Sequence, residues 1–244
     1  MKNIIFAFSL SLFLVSIMGC EEFENSAVPS QETFLPKLTM HGPASIDLPC
    51  TATSYVDEGL TALEQGVEIP VTTTITGSYF GSTSVNGPDV YSIFYSATNK
   101  DGIPGAAERT VFWPACAGDF NTSIAGVYKA NVVRNGVVSA QYQNLGPIII
   151  KDLGNGNFQL SDAIGGYYDF GRKFGYHYAS TGFVVKALNI PGNSFDFANQ
   201  TVAVGDFGGE LVMTAFSINA ANKTIQFTTD WDAGFVFEVT LTQL

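Results

Sequence analysis

The sequence has little of what most catalytic, metal-binding and nucleic-acid-binding sites are made of. Charged residues make up only 14% of the chain, and there are two His, three Cys and 11 Lys and Arg in 244 residues. The two His, His41 and His177, form no cluster of ligands for a transition metal. The patterns of a nucleophile elbow, a phosphate-binding loop and a dinucleotide fingerprint are also missing. We therefore expect no metal, no cofactor and no catalytic residues.

Basic residues are too few for a phosphate-binding surface. The formal net charge is −11 at pH 7, with 22 Asp and Glu against 11 Lys and Arg. Residues 21–118 hold 12 acidic and 3 basic side chains, and residues 119–244 hold 10 and 7, so neither half is basic. Nucleic-acid binding requires a positive surface. We expect no nucleic-acid partner.

The first twenty residues have the features of a secretory signal. Lys2 gives a positive start, and Ile4–Ile17 is a mostly apolar run that is too short for a comfortable membrane span. Residues 17–20, Ile-Met-Gly-Cys, resemble a bacterial lipobox. The resemblance implies cleavage before Cys20 and acylation of that residue. The alternative is an ordinary signal peptide with an incidental Cys.

An acidic tether follows Cys20. Residues 21–25 read Glu-Glu-Phe-Glu-Asn, and a polar, Pro-containing stretch continues to residue 36. An acidic cluster directly after a lipidated Cys resembles the surface-export signal of Bacteroidetes lipoproteins. It implies a lipid anchor in the outer membrane and exposure on the cell surface. The alternative is a solvated linker on a lipoprotein that faces the periplasm.

Aromatic and turn-forming residues favour an all-β chain. Twenty Phe, ten Tyr and 25 Gly suit pleated strands and the turns between them. Between about Leu38 and Cys116, alternating segments with turn signals between them predict a β-sandwich. The expected strands are Thr39–Leu48, Val67–Thr76, Val90–Thr98 and Glu108–Trp113.

Three segments of this region resemble the bacterial immunoglobulin-like domains of surface lipoproteins. Residues 55–62 contain a Tyr-x-Asp-x-Gly turn, residues 91–102 contain a Tyr-x-Ala-x-Asn-x-x-Gly hairpin, and Arg109-Thr110-Val111 follows. The resemblance implies an immunoglobulin-like domain over residues 37–117 that acts as a spacer or an adhesive module.

Two Cys remain once Cys20 is assigned to the lipid. In this topology the first strand runs beside the last one, so Cys50 and Cys116 could approach each other, and an oxidising compartment favours a disulfide. Closing a loop of 66 residues would stabilise the fold by about 4 kcal/mol in the chain-entropy view. Two buried free thiols are the alternative.

Residues 118–244 are long enough for a separate core. Their strand signals predict eight to ten antiparallel strands in a small barrel or sandwich. The expected strands are Val127–Arg134, Val137–Gln143, Pro147–Leu153, Asn157–Ser161, Leu211–Asn219, Thr224–Trp231 and Phe235–Leu241. The full expectation is a signal peptide (1–20), a tether (21–36), an immunoglobulin-like sandwich (37–117) and a C-terminal antiparallel β-barrel or sandwich (118–244).

A ligand is expected at Gly165–Tyr178, which reads Gly-Gly-Tyr-Tyr-Asp-Phe-Gly-Arg-Lys-Phe-Gly-Tyr-His-Tyr. Sugar rings stack on aromatic side chains, and their hydroxyls need polar partners. The candidate ligand-binding residues are Tyr167, Tyr168, Asp169, Arg172, Tyr176 and Trp231. In the alternative interpretation these rings plug one end of a barrel, and Asp169 pairs internally with Arg172.

Residues 161–168, with Gly171, Arg172 and Gly175, resemble a signature of poorly characterised C-terminal β-domains in Bacteroidetes lipoproteins. Some relatives are encoded with glycan-uptake systems, which implies carbohydrate handling. We expect a non-catalytic lipoprotein that binds a polysaccharide or oligosaccharide, with other glycan-uptake proteins as partners. One alternative is a structural or adhesive protein that docks another protein. Another is a glycoside hydrolase that uses two carboxylates from Asp162, Asp169, Asp230 and Asp232.

Overall fold

A computed structural model describes residues 32–244, and 47% of the structure is strand. This confirms the predicted all-β class. The signal peptide, Cys20 and nearly all of the tether lie outside the described residues. Pro36–Leu244 form one compact unit. No helix within residues 32–244 has the length and apolar character needed to cross a membrane.

The N-terminal part of this unit is built from two β-sheets. The first is antiparallel and contains β1 (Lys37–Met40), β3 (Leu60–Glu64) and β4 (Val67–Ile69), in that order. The second contains, in spatial order, β2 (Ser45–Asp47), β7 (Pro104–Trp113), β6 (Asp89–Thr98) and β5 (Thr72–Gly77). Buried Tyr91, Ile93 and Tyr95 of β6 pack against Met40 and Leu60 of the other sheet, so the core lies between the two layers.

Two of the strands predicted here are each split between the two sheets. The segment 39–48 contains β1 and β2, with Gly42 at a φ of +73° in the turn between them. The segment 67–76 contains β4 and β5, because Pro70 has no N–H with which to continue the ladder. The strand predicted at 90–98 is correct, and the one predicted at 108–113 begins earlier, at Pro104.

A buried ion pair holds the turn at residues 55–59 against the second sheet. Arg109 of β7 is fully buried, pairs with the carboxylate of Asp57, and donates to two backbone carbonyl oxygens. The same carboxylate accepts a hydrogen bond of 2.7 Å from the Tyr95 hydroxyl. A charge can be buried in this way because it is paired and its donors are satisfied. The Tyr-x-Asp-x-Gly motif therefore has a structural role in this chain.

Cys50 and Cys116 form a disulfide bond, with their Cα atoms 4.9 Å apart. Cys50 lies in the loop after β2, and Cys116 lies three residues after the end of β7. The bond therefore fastens the chain at the point where it leaves the N-terminal sheets.

The C-terminal part is a single eight-stranded antiparallel sheet that curls into a nearly closed barrel. Its strands are, in spatial order, β12 (Ser194–Asp196), β11 (Val184–Asn189), β10 (Asn157–Leu160), β9 (Leu145–Gly154), β8 (Gly126–Arg134), β15 (Phe235–Gln243), β14 (Thr224–Trp231) and β13 (Leu211–Asn219). The edge strands β12 and β13 approach each other. The backbone N–H of Ile218 donates to the Asn193 side chain at 2.8 Å, and the rings of Phe195 and Phe216 lie 4.8 Å apart.

The barrel interior is filled by side chains, as is usual for eight strands. Ile225, Phe227 and Trp231 are buried on one face of β14, as their alternation predicts. The strand predicted at 137–143 is wrong, because the chain there forms a 3₁₀ turn at Ala140–Tyr142 that buries Tyr142. The sequence pattern does not predict β11 and β12, since neither segment combines clear alternation with sufficient length.

The two ends of the barrel carry connections of very different length. At one end the connections are the short turns 155–156, 190–193 and 220–223. At the other end they are the long connections 135–144, 161–183 and 197–210, together with the short turn 232–234. We call the second end the loop end. Because rigid strands position these long connections, the loop end is where a binding site is expected.

Reduction of the Cys50–Cys116 bond should lower the free energy of unfolding by about 4 kcal/mol, because the reduced unfolded chain regains the freedom of a 66-residue loop. Urea unfolding with and without a reducing agent measures this difference. The Cys50→Ala/Cys116→Ala variant is the control and should not respond to the reducing agent. Equal stability of the oxidised and reduced wild-type protein would contradict the expectation.

Candidate functional site

The segment expected to bind a ligand enters the loop end of the barrel. Residues 161–169 are all buried. The Thr229 hydroxyl of β14 donates to the carbonyl oxygen of Ala163 at 3.1 Å. Gly165 has a φ of +64°, and a Cβ added there would lie 2.6 Å from Val239 and 2.9 Å from Val132. Only glycine fits at position 165. We call residues 161–180, which enter the end of the barrel, the plug.

The buried carboxylate of Asp162 fixes both ends of the plug. It accepts hydrogen bonds from the backbone N–H groups of Ile164 and Gly166, each at 2.9 Å, and of Ser180 at 3.0 Å. Burial, reinforced by the nearby charge of Asp169, raises the pKa of Asp162 to about 7, although these donors favour the charged form. The Ser180 hydroxyl donates to the carbonyl oxygen of Ala203 at 2.9 Å and so ties the plug to connection 197–210.

The predicted tyrosines of the plug are mostly covered. Tyr167–Gly171 form a turn of π-helix, so their side chains do not alternate as they would in an extended strand. Tyr167 is 2% exposed and Tyr168 is 7% exposed, and Trp231 below them is also buried. These three predicted ligand-binding residues therefore support the loop end from within.

Asp169 and Arg172 do not form the expected ion pair. The carboxylate of Asp169 is buried and accepts a hydrogen bond of 2.7 Å from the hydroxyl of Tyr79, in the N-terminal part of the chain. Arg172 follows the helical turn and is exposed. The turn thus directs the two side chains to different neighbours. Burial raises the pKa of Asp169, and the hydrogen bond from Tyr79 opposes that rise.

Tyr176 lies where the N-terminal sheets pack against the barrel. Its ring meets that of Tyr79 edge to face at 6.5 Å and stacks on the exposed ring of His177 at 4.1 Å. It joins a small apolar cluster that also contains buried Ile149 and Ala179. Tyr176, one of the candidate ligand-binding residues, therefore lies in the interface between the N-terminal sheets and the barrel.

Two guanidinium groups and two stacked tyrosines line a cavity of about 400 Å³ at the loop end. The Arg134 guanidinium lies 4.9 Å from the ring centre of Tyr167 and 4.6 Å from that of Phe235. The Arg172 guanidinium lies 5.9 Å from the ring centre of Tyr142, which stacks on Tyr167 at 3.9 Å. We call this cavity, lined by Arg134, Tyr142, Tyr167, Arg172 and Phe235, the arginine pocket.

Uncharged polar groups complete the lining of the arginine pocket. Asn135, Ser139 and Gln141 face it, and the Gln141 amide donates to the carbonyl oxygen of Gly171 at 2.8 Å. A hydrogen bond to the Tyr167 hydroxyl raises the pKa of the Arg172 guanidinium. The lining residues all belong to the described part of the chain, and none is acidic. An acidic protein thus has a locally positive pocket.

Exposed aromatic rings lie beside the arginine pocket. Phe174 is 50% exposed, Phe207 is 46% exposed, and Tyr178 is half-buried between them. The Tyr178 ring centre lies 5.3 Å from that of Phe174 and 4.8 Å from that of Phe207. We call Phe174, Tyr178 and Phe207 the aromatic patch. Large exposed rings in one cluster indicate an interaction surface.

Buried rings connect the patch to the pocket. Tyr168 contacts Tyr167 at 5.0 Å on one side and Phe207 at 4.9 Å on the other. Trp231 bridges Phe207, at 6.0 Å, and Phe235, at 5.7 Å. Packed rings therefore link the patch to the pocket, and we take the two together as the candidate site on the loop end.

Sequence reasoning did not identify most of this site. The residues that it missed are Arg134, Tyr142, Phe174, Tyr178, Phe207 and Phe235. A usable signal existed for Arg134, which directly precedes the Asn135-Gly136 turn, and for Phe174 and Tyr178, which lie within the predicted segment. Phe207 comes from a separate connection, and only the fold brings it to the plug.

A second cavity, of about 540 Å³, lies beside the disulfide bond. Cys50, Cys116, Asp119 and Asp152 contribute to its lining, and no aromatic ring does. Backbone N–H groups of the following residues lower the pKa of Asp119 to about 2, so this carboxylate serves to hold a turn. The loop end offers the better combination of apolar and polar groups for a ligand.

Comparison with known proteins identifies the class to which this fold belongs. The chain is similar to the crystal structure of the lipoprotein BT2262 from Bacteroides thetaiotaomicron, with 25% sequence identity and a TM-score of 0.54. The similarity covers 86% of this chain and 100% of that lipoprotein chain. The likeness supports a β-rich lipoprotein. Residues 117–243 match a protein-family model whose description ends in "-like, C-terminal domain". The chain belongs to this family of C-terminal domains. No curated protein matches the chain.

Asp162→Asn should remove a pH dependence of stability. Because the folded state raises the pKa of Asp162 to about 7, its contribution is fully present below the unfolded pKa, near 3.9, and is lost as the pH rises through about 7. The wild-type free energy of unfolding should thus fall by up to about 4 kcal/mol across this range from this group alone. Urea unfolding between pH 4 and pH 8 measures it.

The amide side chain that this variant introduces would also set an N–H donor against one of the three backbone N–H groups. We therefore expect the variant to be less stable than wild type by about 1–3 kcal/mol at pH 8, where the wild-type carboxylate is charged, and by more at pH 4. Its curve of stability against pH should be flatter. Parallel curves for the two proteins would show that Asp162 does not titrate in this range.

Proposed function

We propose that this protein is a surface lipoprotein of the outer membrane that binds a polysaccharide or oligosaccharide without catalysis, as an accessory of a glycan-uptake system. The observation that carries the proposal is that the aromatic patch and the arginine pocket both lie on the loop end. Exposed rings there can stack on the apolar faces of sugars, while guanidinium, amide and hydroxyl groups serve the sugar hydroxyls. The pocket volume is typical of ligand sites.

The positions of the candidate carboxylates favour binding over hydrolysis. A glycosidase needs two carboxyl groups that converge on the scissile bond. Asp162 is buried and accepts three backbone hydrogen bonds, and Asp169 is buried under the Tyr79 hydroxyl. Asp230 and Asp232 are exposed, on β14 and in the turn after it. None of the four lines the arginine pocket.

The anchor and the tether support the cellular location in this proposal. Cys20 and its lipobox, and the acidic residues 21–24, are sequence features that lie outside the described residues. The similar structure is that of a Bacteroides lipoprotein. An immunoglobulin-like spacer over residues 37–117 would lie between the tether and the barrel that carries the loop end.

A second candidate function is the docking of another protein. Phe174 and Phe207 are exposed side by side, and such rings are also common at protein interfaces. This candidate predicts binding to a partner protein through the aromatic patch and no affinity for any glycan.

Phe174→Ala/Phe207→Ala should weaken glycan binding at least tenfold. Each removed ring takes away a stacking surface worth about 1 kcal/mol or more, and the two rings act on one ligand. Affinity electrophoresis against a panel of neutral and acidic polysaccharides identifies a ligand, and titration calorimetry then gives the affinities.

Phe94→Ala is the matched control for that variant. Phe94 is 44% exposed on β6, away from the loop end, so its loss should leave glycan affinity unchanged. The proposal fails if folded wild-type protein is retarded by no polysaccharide. It also fails if the Phe94→Ala variant loses as much affinity as the double variant.

Replacement of Glu21, Glu22 and Glu24 by Ala should leave the protein acylated but move it from the cell surface to the periplasmic face of the outer membrane. The physical basis is loss of the acidic cluster that resembles an export signal. Protease digestion of intact cells measures exposure, and Cys20→Ala, which should lose the anchor, is the control. Undiminished digestion of the triple variant would contradict the expectation.

A further inference from the structure

We propose that the arginine pocket recognises an anionic group on the glycan, a carboxylate or a sulfate, which Arg134 and Arg172 hold together. This inference rests on the proposed function, because it assigns the ligand class of the same site. It predicts that acidic glycans bind more tightly than neutral ones.

Neither arginine of the pocket has a carboxylate partner in the structure. Within residues 32–244, the ion pair closer than 4 Å is that of Arg109 with Asp57, in the N-terminal sheets. The neighbours of Arg134 and Arg172 are instead aromatic rings and a tyrosine hydroxyl. Two unneutralised cations that line one small cavity repel each other, and a bound anion would relieve that repulsion.

Two aromatic rings orient the Arg134 guanidinium in the pocket, where it can bind an anion. Arg134 lies over the rings of Tyr167 and Phe235, at 4.9 and 4.6 Å, which restricts its orientation before a ligand arrives. The planar fork of a guanidinium matches the two oxygens of a carboxylate or of a sulfate. Arg172 is exposed, lines the same pocket, and can close on the same group.

The charge distribution of the barrel agrees with a local anion site. Residues 119–244 carry seven basic and ten acidic side chains, and two of the seven basic ones, Arg134 and Arg172, line this one pocket. Neutral sugars do not need two cations in one pocket, because uncharged side chains such as Ser139 and Gln141 can serve their hydroxyls. Two cations are too few for a nucleic-acid surface.

The test compares acidic with neutral glycans on the full mature chain. Polygalacturonate supplies carboxylates, chondroitin sulfate supplies both anions, and dextran and an unsubstituted galactan supply neither. Affinity electrophoresis should show retardation by an acidic glycan, and titration calorimetry should show affinity that falls as salt rises. Arg134→Gln/Arg172→Gln should weaken binding at least tenfold, while Lys186→Gln, which removes an exposed charge from β11 outside the pocket, should not.

Loss of Arg134 could disturb the rings beneath it, so Arg172→Gln alone is the safer variant. Arg172 is exposed, and its replacement should leave the melting temperature unchanged while weakening the acidic glycan at least threefold. Equal affinity of wild type and Arg172→Gln, or equal affinity for neutral and acidic glycans, would overturn the inference and leave glycan binding intact.

If no polysaccharide binds at all, the proposed function fails, and free glucuronate and sulfate then test the anion site by itself. Saturable binding of either ion that is lost in Arg134→Gln/Arg172→Gln and kept in Lys186→Gln would support an anion site for a ligand other than a glycan. Absence of such binding would overturn the anion site as well.

Discussion

The candidate site depends on one buried carboxylate, that of Asp162. Within the closed end of the barrel it gathers three backbone N–H groups, from Ile164, Gly166 and Ser180, and so joins the beginning of the plug to its end. A buried carboxylate is tolerable only where such donors replace water. The residues between these two points therefore have fixed positions relative to the strands. Those residues include every ring that the candidate site uses from the plug.

The plug also connects the parts of the molecule that surround it. Ser180 binds connection 197–210, which supplies Phe207, and Asp169 accepts the Tyr79 hydroxyl from the N-terminal sheets. Arg134, at the end of β8, packs on Tyr167 and is thereby aimed into the pocket. The barrel thus fixes the positions of the side chains that bind at the loop end. The conformational entropy of ordering these side chains is lost when the protein folds and not when a ligand binds.

The sequence predicted much of the fold because the relevant signals are local. Alternation in β6, β14 and β15 and the Asn135-Gly136 dipeptide identify strands and a turn from neighbouring residues alone. The site was predicted only in outline. Tyr167 and Tyr168 are in the correct segment, but a π-helical turn and burial place their rings beneath the surface. Phe207 reaches the plug only through the fold of the barrel, which no local pattern encodes.

The most direct test of this account is to map the bound glycan onto the protein by NMR in solution. The indole N–H of Trp231, which donates to the Gly208 carbonyl oxygen beneath the aromatic patch, is a reporter at the site. Trp113, in the core of the N-terminal sheets, is an internal reference. Saturating glycan should shift the Trp231 signal and the amide signals of residues 134–142 and 165–178, and should leave that of Trp113 in place. Shifts confined to the N-terminal sheets or to the outer face of the barrel would contradict a site at the loop end.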